Sequence, residues 1–476
     1  MSIVDISTRL PGRWAARQLV YGAVVVVAAG AGLTVAEHPG RIRVAIAALV
    51  FAMLLLLAFR SLEHAIVALL AFLVFMGLIR RLLISVAGWS GHDPLLLVGP
   101  GLAGFLFIDL FVRQNRPLAR DRLSRCVLGL LALTVVEVFN PHSGSLLAGI
   151  AGLLFATVPL LWFFIGRELA TRAMMATLLR LTVVLGLGVA LYGLYQTRYG
   201  LPSWDKAWVA ISGYGALSVG SATRAFGPMA SGAEYAYYLA IGIVVALAAA
   251  LHRRLVALAV VPVLGWALYL ESSRGIVVIA VLAVLVLIGL RAGGRSGMVV
   301  VVAAGAAAAV FALRSAPVAS GPAATTSGAL QTHLVGGLQH PLSSKSDLPS
   351  KWHALVYGVK LGFSNPLGYG TAFSNIAGAK FGGNVGPAED DLANAFSSYG
   401  LLGGFLFVAI VVLALRRAGR FYLQRFDFLS GAALGVLIVT LGQWLNGGYY
   451  SVAPLLWLTM GWICREEVAR SQRTTP

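Results

Sequence analysis

Charged side chains are scarce in this chain. Of its 476 residues, 11% are Asp, Glu, Lys or Arg, whereas 59% are hydrophobic. A soluble domain typically carries about 25% charged residues. The composition therefore excludes an ordinary soluble domain and predicts that most of the surface faces lipid.

Acidic residues are the scarcer of the two signs, and cysteine is nearly absent. Asp and Glu number 18 against 36 Lys and Arg, a formal net charge of +18. In a soluble protein this excess would indicate nucleic acid. In a membrane protein it follows from the Lys and Arg that collect in cytoplasmic loops, so we expect no nucleic-acid partner. Cys126 and Cys464 are the two cysteines and fall near predicted cytoplasmic helix ends, which indicates neither a disulfide nor a thiolate metal site.

What the chain has instead is a succession of apolar runs. A run of roughly 18 residues or more can cross a bilayer, because about 20 residues at 1.5 Å rise span a hydrocarbon core near 30 Å. The first run begins near Arg17, after a basic N-terminus, and further runs follow, so we expect no cleaved signal peptide. We predict an all-α polytopic membrane bundle of about fourteen transmembrane helices. The predicted spans are residues 18–36, 42–59, 64–79, 95–112, 125–139, 146–165, 174–196, 233–250, 255–272, 274–290, 297–313, 397–415, 427–445 and 451–464.

Arginine placement sets the expected orientation. With the N-terminus in the cytoplasm, the even-numbered connections also face the cytoplasm and hold most of the arginines, as the positive-inside rule requires. Those connections are residues 113–125, 167–172, 253–254, 291–295 and 416–425. The segments then expected on the outer face are residues 197–232, 271–274, 314–396 and 445–451.

This orientation divides the chain into four parts. They are N-terminal transmembrane helices (1–190), core helices with the outer loop 197–232 (191–313), a large outer capping loop (314–396), and C-terminal helices with a cytoplasmic tail (397–476).

The expected outer face nevertheless carries arginine, at Arg80, Arg81, Arg198, Arg224 and Arg274. Topology does not explain basic residues on this face. One interpretation is that each side chain snorkels to lipid headgroups. The other is that the set binds an anionic group, since the planar guanidinium makes paired charge-assisted hydrogen bonds to phosphate.

Two tryptophans also stand out on this face. Trp204 and Trp208 lie at helical spacing within the outer loop 197–232. They fit an interfacial aromatic belt, or a platform on which a sugar ring stacks.

The capping loop changes character along its length. Residues 314–349 are rich in small residues and Pro, which is typical of little regular structure. Ser350 is expected to cap a helix over residues 351–363, which would lie on the membrane surface or cap the bundle. Its predicted apolar face comprises Trp352, Leu355, Val356, Val359 and Phe363.

A further helix is predicted to start at Pro387, with Glu389, Asp390 and Asp391 in its first turn. Carboxylates at a helix N-terminus are favoured by the macrodipole. A carboxylate at this place could instead act as the base that takes a proton from an acceptor hydroxyl.

Three passages stand in a characteristic order. They are residues 271–275 (ESSRG), residues 352–370, with Trp-His-Ala followed by Asn-Pro-Leu-Gly-Tyr-Gly, and residues 389–404, closing on Gly-Leu-Leu-Gly. Together they resemble the O-antigen ligase and polymerase superfamily, membrane enzymes that transfer glycans from undecaprenyl diphosphate. Residues 224–227 (RAFG) are a fourth, weaker match, and the resemblance covers roughly residues 190–420.

The resemblance implies a GT-C-like bundle with an outward-facing site under a capping loop. The donor would be a lipid-diphosphate glycan, with no cofactor and no metal required. The family's arginine corresponds to Arg274, which would hold the donor diphosphate and stabilise charge on the leaving group. Arg224, Arg80, Arg81 and Trp352 join it as candidates for substrate binding.

The chain departs from the family at two places. Ligases of the family have His, then Asn, Ser or Gln, then nine residues before Gly-x-x-Gly. Counting back from Gly400 gives Glu389, followed by Asp390. We expect Glu389 to act as the catalytic base, with Asp390 beside it in substrate binding. Where the family has a second loop arginine before the Trp, this chain has Lys345 and Lys351, which keep the charge without the guanidinium fork.

The expected function is that of a glycan polymerase in surface polysaccharide synthesis, at a bacterial inner membrane with its site on the outer face. The expected partners are the undecaprenyl-diphosphate-linked glycan, membrane lipids and a chain-length regulator. One alternative is an O-antigen ligase that transfers glycan to lipid A core or protein. The other is a polysaccharide or lipid transporter or flippase, although transporters usually show internal repeats and none is convincing here.

Overall fold

The computed structural model describes residues 41–212, 217–219, 222–315, 326–341, 343, 348–386 and 390–474. Over these residues the chain forms seventeen α-helices and one antiparallel two-stranded hairpin. The helices are α1 (Ile42–Arg60), α2 (Leu62–Leu82), α3 (Ile84–Ala87), α4 (Val98–Phe107), α5 (Arg122–Val136), α6 (Leu146–Leu169), α7 (Arg172–Tyr199), α8 (Ser203–Ser212), α9 (Gly232–Leu251), α10 (Val261–Glu271), α11 (Arg274–Ser315), α12 (Thr326–Gln339), α13 (Leu348–Ser364), α14 (Ile376–Lys380), α15 (Asp391–Arg425), α16 (Phe428–Val439) and α17 (Val452–Thr474). The strands are β1 (Ser218–Val219) and β2 (Ala222–Thr223), with Ser218 opposite Thr223.

Eight helical segments in the described residues are long and apolar enough to cross a membrane. They are Ile42–Arg60, Leu62–Leu82, Pro94–Arg113, Leu146–Leu169, Arg172–Tyr199, Gly232–Leu251, Arg274–Val310 and Asp391–Arg425. Their length and composition indicate a multi-pass membrane protein. The predicted all-α membrane bundle is confirmed in this form, whereas the count of fourteen spans and the GT-C architecture remain predictions. The first predicted span, residues 18–36, lies outside the described residues.

Helix starts follow ordinary capping chemistry. Ser61 accepts a hydrogen bond from the backbone N–H of His64 at the start of α2, and Ser231 accepts one from Glu234 at the start of α9. Asp121 caps α5 in the same way. These side chains satisfy N–H groups that lack a partner within the helix.

The long helix α11 is a hairpin of two helices. Its backbone leaves the helical region at Gly293 and Gly294, and Gly294 has φ +62°. The two halves fold back on each other so closely that a Cβ on Gly289 would lie 2.5 Å from the Cα of Met298. The two predicted spans 274–290 and 297–313 correspond to these halves.

One end of the bundle, the basic end, joins its helices through ion pairs. Glu168, at the end of α6, pairs with Arg116 at 3.1 Å and with Arg167 at 3.0 Å. Arg417 of α15 pairs with Asp121 at 2.9 Å. Three of the connections predicted to be cytoplasmic, 113–125, 167–172 and 416–425, therefore meet at one end of the molecule.

The opposite end, the loop end, carries the described residues of the segments 200–212, 217–219, 222–231, 326–341 and 348–386. The expectation of little regular structure over residues 314–349 is wrong for α12. Leu330 and Leu334 lie one turn apart in that helix, and both are completely buried. α12 packs over α10, α11 and the β-hairpin. This tertiary surface stabilises a helix whose own sequence is too rich in small residues to indicate one.

Helix α13 occupies the predicted place but packs by another face. It starts at Leu348, so Ser350 lies inside its first turn and is not its cap. Its glycines face α15, where a Cβ on Gly358 would lie 2.6 Å from the Cβ of Ala393. Much of the predicted apolar face remains exposed, with Trp352 65%, Val356 47% and Phe363 58% accessible.

Two of the passages that carry the resemblance meet where α15 is broken. The backbone N–H groups of Tyr369 and Gly370 donate to the carbonyls of Ser397 and Ser398 at 2.9 and 3.0 Å. α15 kinks at Gly400, where φ is +65° and a Cβ would collide with the carbonyl of residue 366. Glycine is required there both for the left-handed φ and for the close approach.

The two ends of the bundle lead to a topology prediction. We expect the basic end in the cytoplasm and the loop end outside, because arginine-rich connections stay inside. Reporter fusions after Arg122 and within residues 325–337 should then give opposite signals. Signals of the same kind from both fusions would contradict the orientation.

Candidate functional site

The polar centre of the loop end surrounds the first turn of α9, the most deeply buried of the eight candidate spans. Glu234 in this turn is 1% exposed. Its carboxylate accepts hydrogen bonds from the backbone N–H and the hydroxyl of Ser451, both at 2.7 Å, and from the N–H of Ala230 at 3.3 Å. A buried carboxylate is costly without such partners, so these bonds tie the start of α9 to the start of α17.

A second buried carboxylate, Glu271, ends α10. It is 1% exposed, and its Oε2 accepts a hydrogen bond from the N–H of Ser273 at 2.9 Å. Ser272 between them takes the left-handed conformation with φ +64°, which turns the chain sharply from α10 into α11. Glu271 also borders α9, since a Cβ on Gly232 would lie 3.3 Å from its Oε1.

Arg224 lies beside Glu271. Its charge is near enough to stabilise the carboxylate, and its backbone N–H donates to the carbonyl of Leu217 at 2.7 Å across the hairpin. Its Nε is buried and has no hydrogen-bond partner among the described residues. A buried guanidinium N–H without a partner is unfavourable, so this group is suited to receive an anionic ligand.

Arg274 begins α11 and is covered by α12. Its Nε and Nη2 donate to the backbone carbonyl of His333 at 3.1 and 2.8 Å. A Cβ on Gly337 would collide with its guanidinium, so the side chain passes close to the helix backbone. α12 also packs on the β-hairpin that precedes Arg224, so the segments that carry the two predicted arginines both contact this helix.

Arg81 has a structural role. It is 1% exposed, and its Nε lies 2.6 Å from Oδ1 of Asp205. Its Nη1 and Nη2 donate to the carbonyls of Met229 and Gly227 at 2.5 and 2.6 Å. Gln196 completes the network, donating to Asp205 at 2.7 Å and accepting from the N–H of Gly227 at 2.8 Å. Arg81 therefore neither snorkels nor presents its guanidinium to a ligand; it holds the turn that leads from Arg224 to α9.

The Arg81 network allows a stability prediction. Replacing Arg81 with Met should lower the free energy of unfolding by about 3–5 kcal/mol, because it leaves the buried carboxylate of Asp205 unpaired. Denaturant midpoints in detergent would measure the loss. Arg198→Met is the matched control, since Arg198 is an exposed arginine at the same end of the bundle. Equal midpoints for the two variants would contradict the structural role.

Arg80 is also buried, but it lies at the edge of the centre. It is 7% exposed, its Nε lies 3.2 Å from Asp93, and its guanidinium stacks over Trp89 at 4.6 Å. Arg43 pairs with the same carboxylate. Snorkelling is therefore wrong for Arg80 as well, and two cations share one anion here.

A third buried carboxylate, Asp391, begins α15. It is 1% exposed, and its Oδ2 accepts from the N–H of Leu445 at 3.0 Å. In the described part of the chain its Oδ1 has no hydrogen-bond partner. Tyr237, one turn into α9, is close enough to interact with the charges of Asp390 and Asp391. The three buried carboxylates thus surround the start of a single helix.

Asp390 has a structural role as a helix cap. Its side chain accepts a hydrogen bond from the N–H of Leu392 at 2.9 Å, so it is the N-cap of α15 and not a residue of the first turn. Glu389, the predicted base, and Lys345 lie outside the described residues. Lys351 and Trp352 lie on the exposed first turn of α13, a different helix from the one that covers Arg274.

The two tryptophans of the outer loop belong to the packing of that loop. Trp208 is 6% exposed and packs against Phe226 at 4.9 Å between ring centres. Trp204 donates its indole N–H to the hydroxyl of Tyr192 at 3.0 Å. Trp208 is therefore a core residue of α8. The predictions that it belongs to an interfacial aromatic belt or stacks on a sugar ring are both wrong.

The sequence indicated Arg224 and Arg274 as candidate site residues, but it did not indicate the buried residues that surround them. Asp391 was visible in the sequence, yet a carboxylate that opens a helix is usually explained by the macrodipole. Its burial depends on residues 442–445, which no local pattern connects to it. Among the described residues no three His, Cys, Asp or Glu side chains come together as a metal site, and the expectation of metal-independent chemistry remains a prediction.

No protein-family model matches the chain, and no curated protein matches it significantly.

Proposed function

We propose that this chain is a membrane glycan polymerase. It would transfer an oligosaccharide from an undecaprenyl-diphosphate donor to a lipid-linked glycan acceptor at the loop end of the bundle. The observation that carries the proposal is that α12 covers Arg274 and packs on the β-hairpin that leads into Arg224, which lies beside the buried carboxylate of Glu271. Two arginines from separate passages, whose segments contact the same helix, suit a dianionic leaving group.

The arginines would act on the donor. A diphosphate held by guanidinium groups gains paired, charge-assisted hydrogen bonds. As the bond between the anomeric carbon and the diphosphate oxygen breaks, the electron pair stays with the diphosphate. Donors placed in advance at that oxygen stabilise the developing charge without reorganising. The buried Nε of Arg224, which has no partner among the described residues, is one such donor.

A carboxylate would act on the acceptor. The acceptor hydroxyl oxygen attacks the anomeric carbon, and its proton passes to the base. Glu389 is the proposed base, from the resemblance, and it immediately precedes Asp390, the N-cap of α15. The contacts of residues 369 and 370 with residues 397 and 398 would hold the start of α15 in place for this step.

The second activity, ligation of glycan to a lipid or protein acceptor, would use the same donor site. The Glu at the position of the family's ligase His favours polymerisation. Transport is disfavoured because the distinctive arginines and buried carboxylates lie at the loop end and not at the middle of the bundle.

The glycan profile of a deletion strain tests the proposal. Polymerase activity predicts loss of long chains, with single repeats still attached to the acceptor. Free lipid-linked polymer with bare acceptor would instead indicate a ligase. An unchanged profile would overturn both enzymatic assignments and favour transport.

A further inference from the structure

An apolar cavity of about 290 Å³ lies apart from Arg224 and Arg274, neither of which lines it. Its walls come from α2, α4, α6 and the start of α17, and most of its lining is aliphatic or aromatic. Leu97 and Leu154 border it and remain 56% and 42% exposed. The cavity is therefore open along a side of the bundle formed by candidate membrane-spanning segments.

The cavity is elongated along the bundle. On α6 its lining runs from Ala151 to Trp162, about 16 Å at 1.5 Å per residue. This is close to half of a hydrocarbon core of about 30 Å. The cavity thus spans the depth of one leaflet, from near the loop end towards the middle of the membrane.

The mouth of the cavity is cationic. At the loop end the lining includes Asp93 and Lys380. Lys380 is exposed there, and its Nζ donates to the carbonyl of Gly91 at 3.2 Å. Asp93 is shared by two arginines, Arg43 and Arg80. The two arginines carry two positive charges against the single negative charge of Asp93, and Lys380 adds a third positive charge. The mouth therefore has a net positive charge. Lys380 lies close enough to Arg80 for the two cations to repel each other.

The charge at the mouth and the depth of the apolar walls select one class of occupant. An amphiphile with a single-leaflet hydrocarbon chain and an anionic head would satisfy both. The chain of a zwitterionic lipid would fill the apolar cavity equally well, but its headgroup would gain less electrostatic attraction from the basic residues at the mouth.

We propose that this cavity binds the hydrocarbon chain of an anionic phospholipid, with the lipid phosphate held beside Lys380. The site is separate from the glycan-transfer chemistry and does not depend on it. It adjoins the polar centre, however, because Tyr450 lines the cavity while Ser451 holds Glu234. A bound lipid would therefore support the connection between α17 and the start of α9.

Quenching of Trp162 fluorescence tests the proposal directly, since this side chain lines the cavity and is completely buried. The full chain would be reconstituted in phosphatidylcholine vesicles containing a minor fraction of phosphatidylglycerol. Bromine would be placed on the chains of the phosphatidylglycerol or on an equal fraction of the phosphatidylcholine. The fluorescence of Trp162 is obtained by subtracting the fluorescence of the Trp162→Phe variant from that of the natural chain.

We expect brominated phosphatidylglycerol to occupy the site about fivefold more than brominated phosphatidylcholine, the effect of one lysine near an anionic headgroup. Lys380→Gln should remove most of that preference. Lys360→Gln is the matched control, because Lys360 is an exposed lysine on α13 that does not line the cavity. It should keep the full preference.

A second variant separates entry into the cavity from general contact with lipid. Ala151→Phe should fill the cavity and abolish Trp162 quenching by either lipid while leaving the other tryptophans quenched. Equal quenching by the two lipids in the natural chain would overturn the anionic preference. Unchanged Trp162 quenching in Ala151→Phe would overturn the cavity as the binding site. Neither readout uses a glycan substrate, so a chain without transferase activity could still pass both.

Discussion

Replacing Arg274 with Ala should abolish glycan transfer while the chain still accumulates in the membrane. Loss of a single positioned donor to a developing anion typically costs about 10²–10³-fold in turnover. Lys should rescue only part of the activity, because an ammonium keeps the charge but not the fork. Glycan profiles of strains carrying each variant, normalised to protein level, would measure the effect. Full activity in Arg274→Ala would refute the role.

The close contact between Arg274 and α12 provides a sharper test than deletion of the arginine. A Cβ on Gly337 would occupy the position of the guanidinium, whereas a Cβ on Gly336 would meet nothing within 4 Å. Both Gly→Ala changes improve helix propensity by about 1 kcal/mol. Gly337→Ala should therefore displace Arg274 and impair transfer, and Gly336→Ala should leave transfer unchanged. Similar activity in the two variants would show that the position of Arg274 does not matter.

The second large effect is expected at the start of α15. Glu389→Gln should lower turnover by about 10²–10⁴-fold, the usual contribution of a positioned acid or base, with donor binding largely kept. Asp390→Asn should be mild, because Asp390 caps α15 through Leu392 and Asn caps a helix about as well as Asp. Activity of both amide variants in equal amounts, with donor binding measured separately, would make the comparison.

Asp391→Asn completes the series and tests the rival base. Asp391 is buried with an Oδ1 that lacks a partner in the described residues, so it is the carboxylate that the structure offers if Glu389 is not the base. A large loss in Asp391→Asn with a mild effect in Glu389→Gln would move the role to Asp391. Three equally mild defects would fit the macrodipole interpretation and would leave neither residue as the base.

The helices were largely predictable because their signal is local. An apolar run long enough to span lipid needs no knowledge of its neighbours, and runs such as 42–59 and 146–165 correspond to α1 and α6. Helix α13 was predictable from its apolar period, although its packing face was not. Its glycines, Gly358 and Gly362, contact α15, and small residues carry no hydrophobic period to reveal that face.

The arginines show the limit of such reasoning. Arg80, Arg81, Arg224 and Arg274 look alike in the sequence, as cations on an unexpected face. The structure separates them, because Arg81 is enclosed by Asp205 and two carbonyls, whereas Arg224 has a buried Nε without a partner among the described residues. Which arginine is available to a ligand depends on residues far away in the chain.

By itself, then, the sequence determined the helical membrane class, the positions of the long apolar helices and the passages in which Arg224 and Arg274 stand. Each of these properties depends on residues that are close together in the sequence, so composition and residue spacing are enough to predict them. Only the tertiary structure decided that α12 packs on Arg274 and on the hairpin before Arg224, that Asp391 is buried against residues 442–445, and that an apolar cavity ends beside Lys380. Burial and charge pairing depend on which helices are neighbours, and helix packing, unlike helix formation, is set by contacts between segments that are distant in sequence.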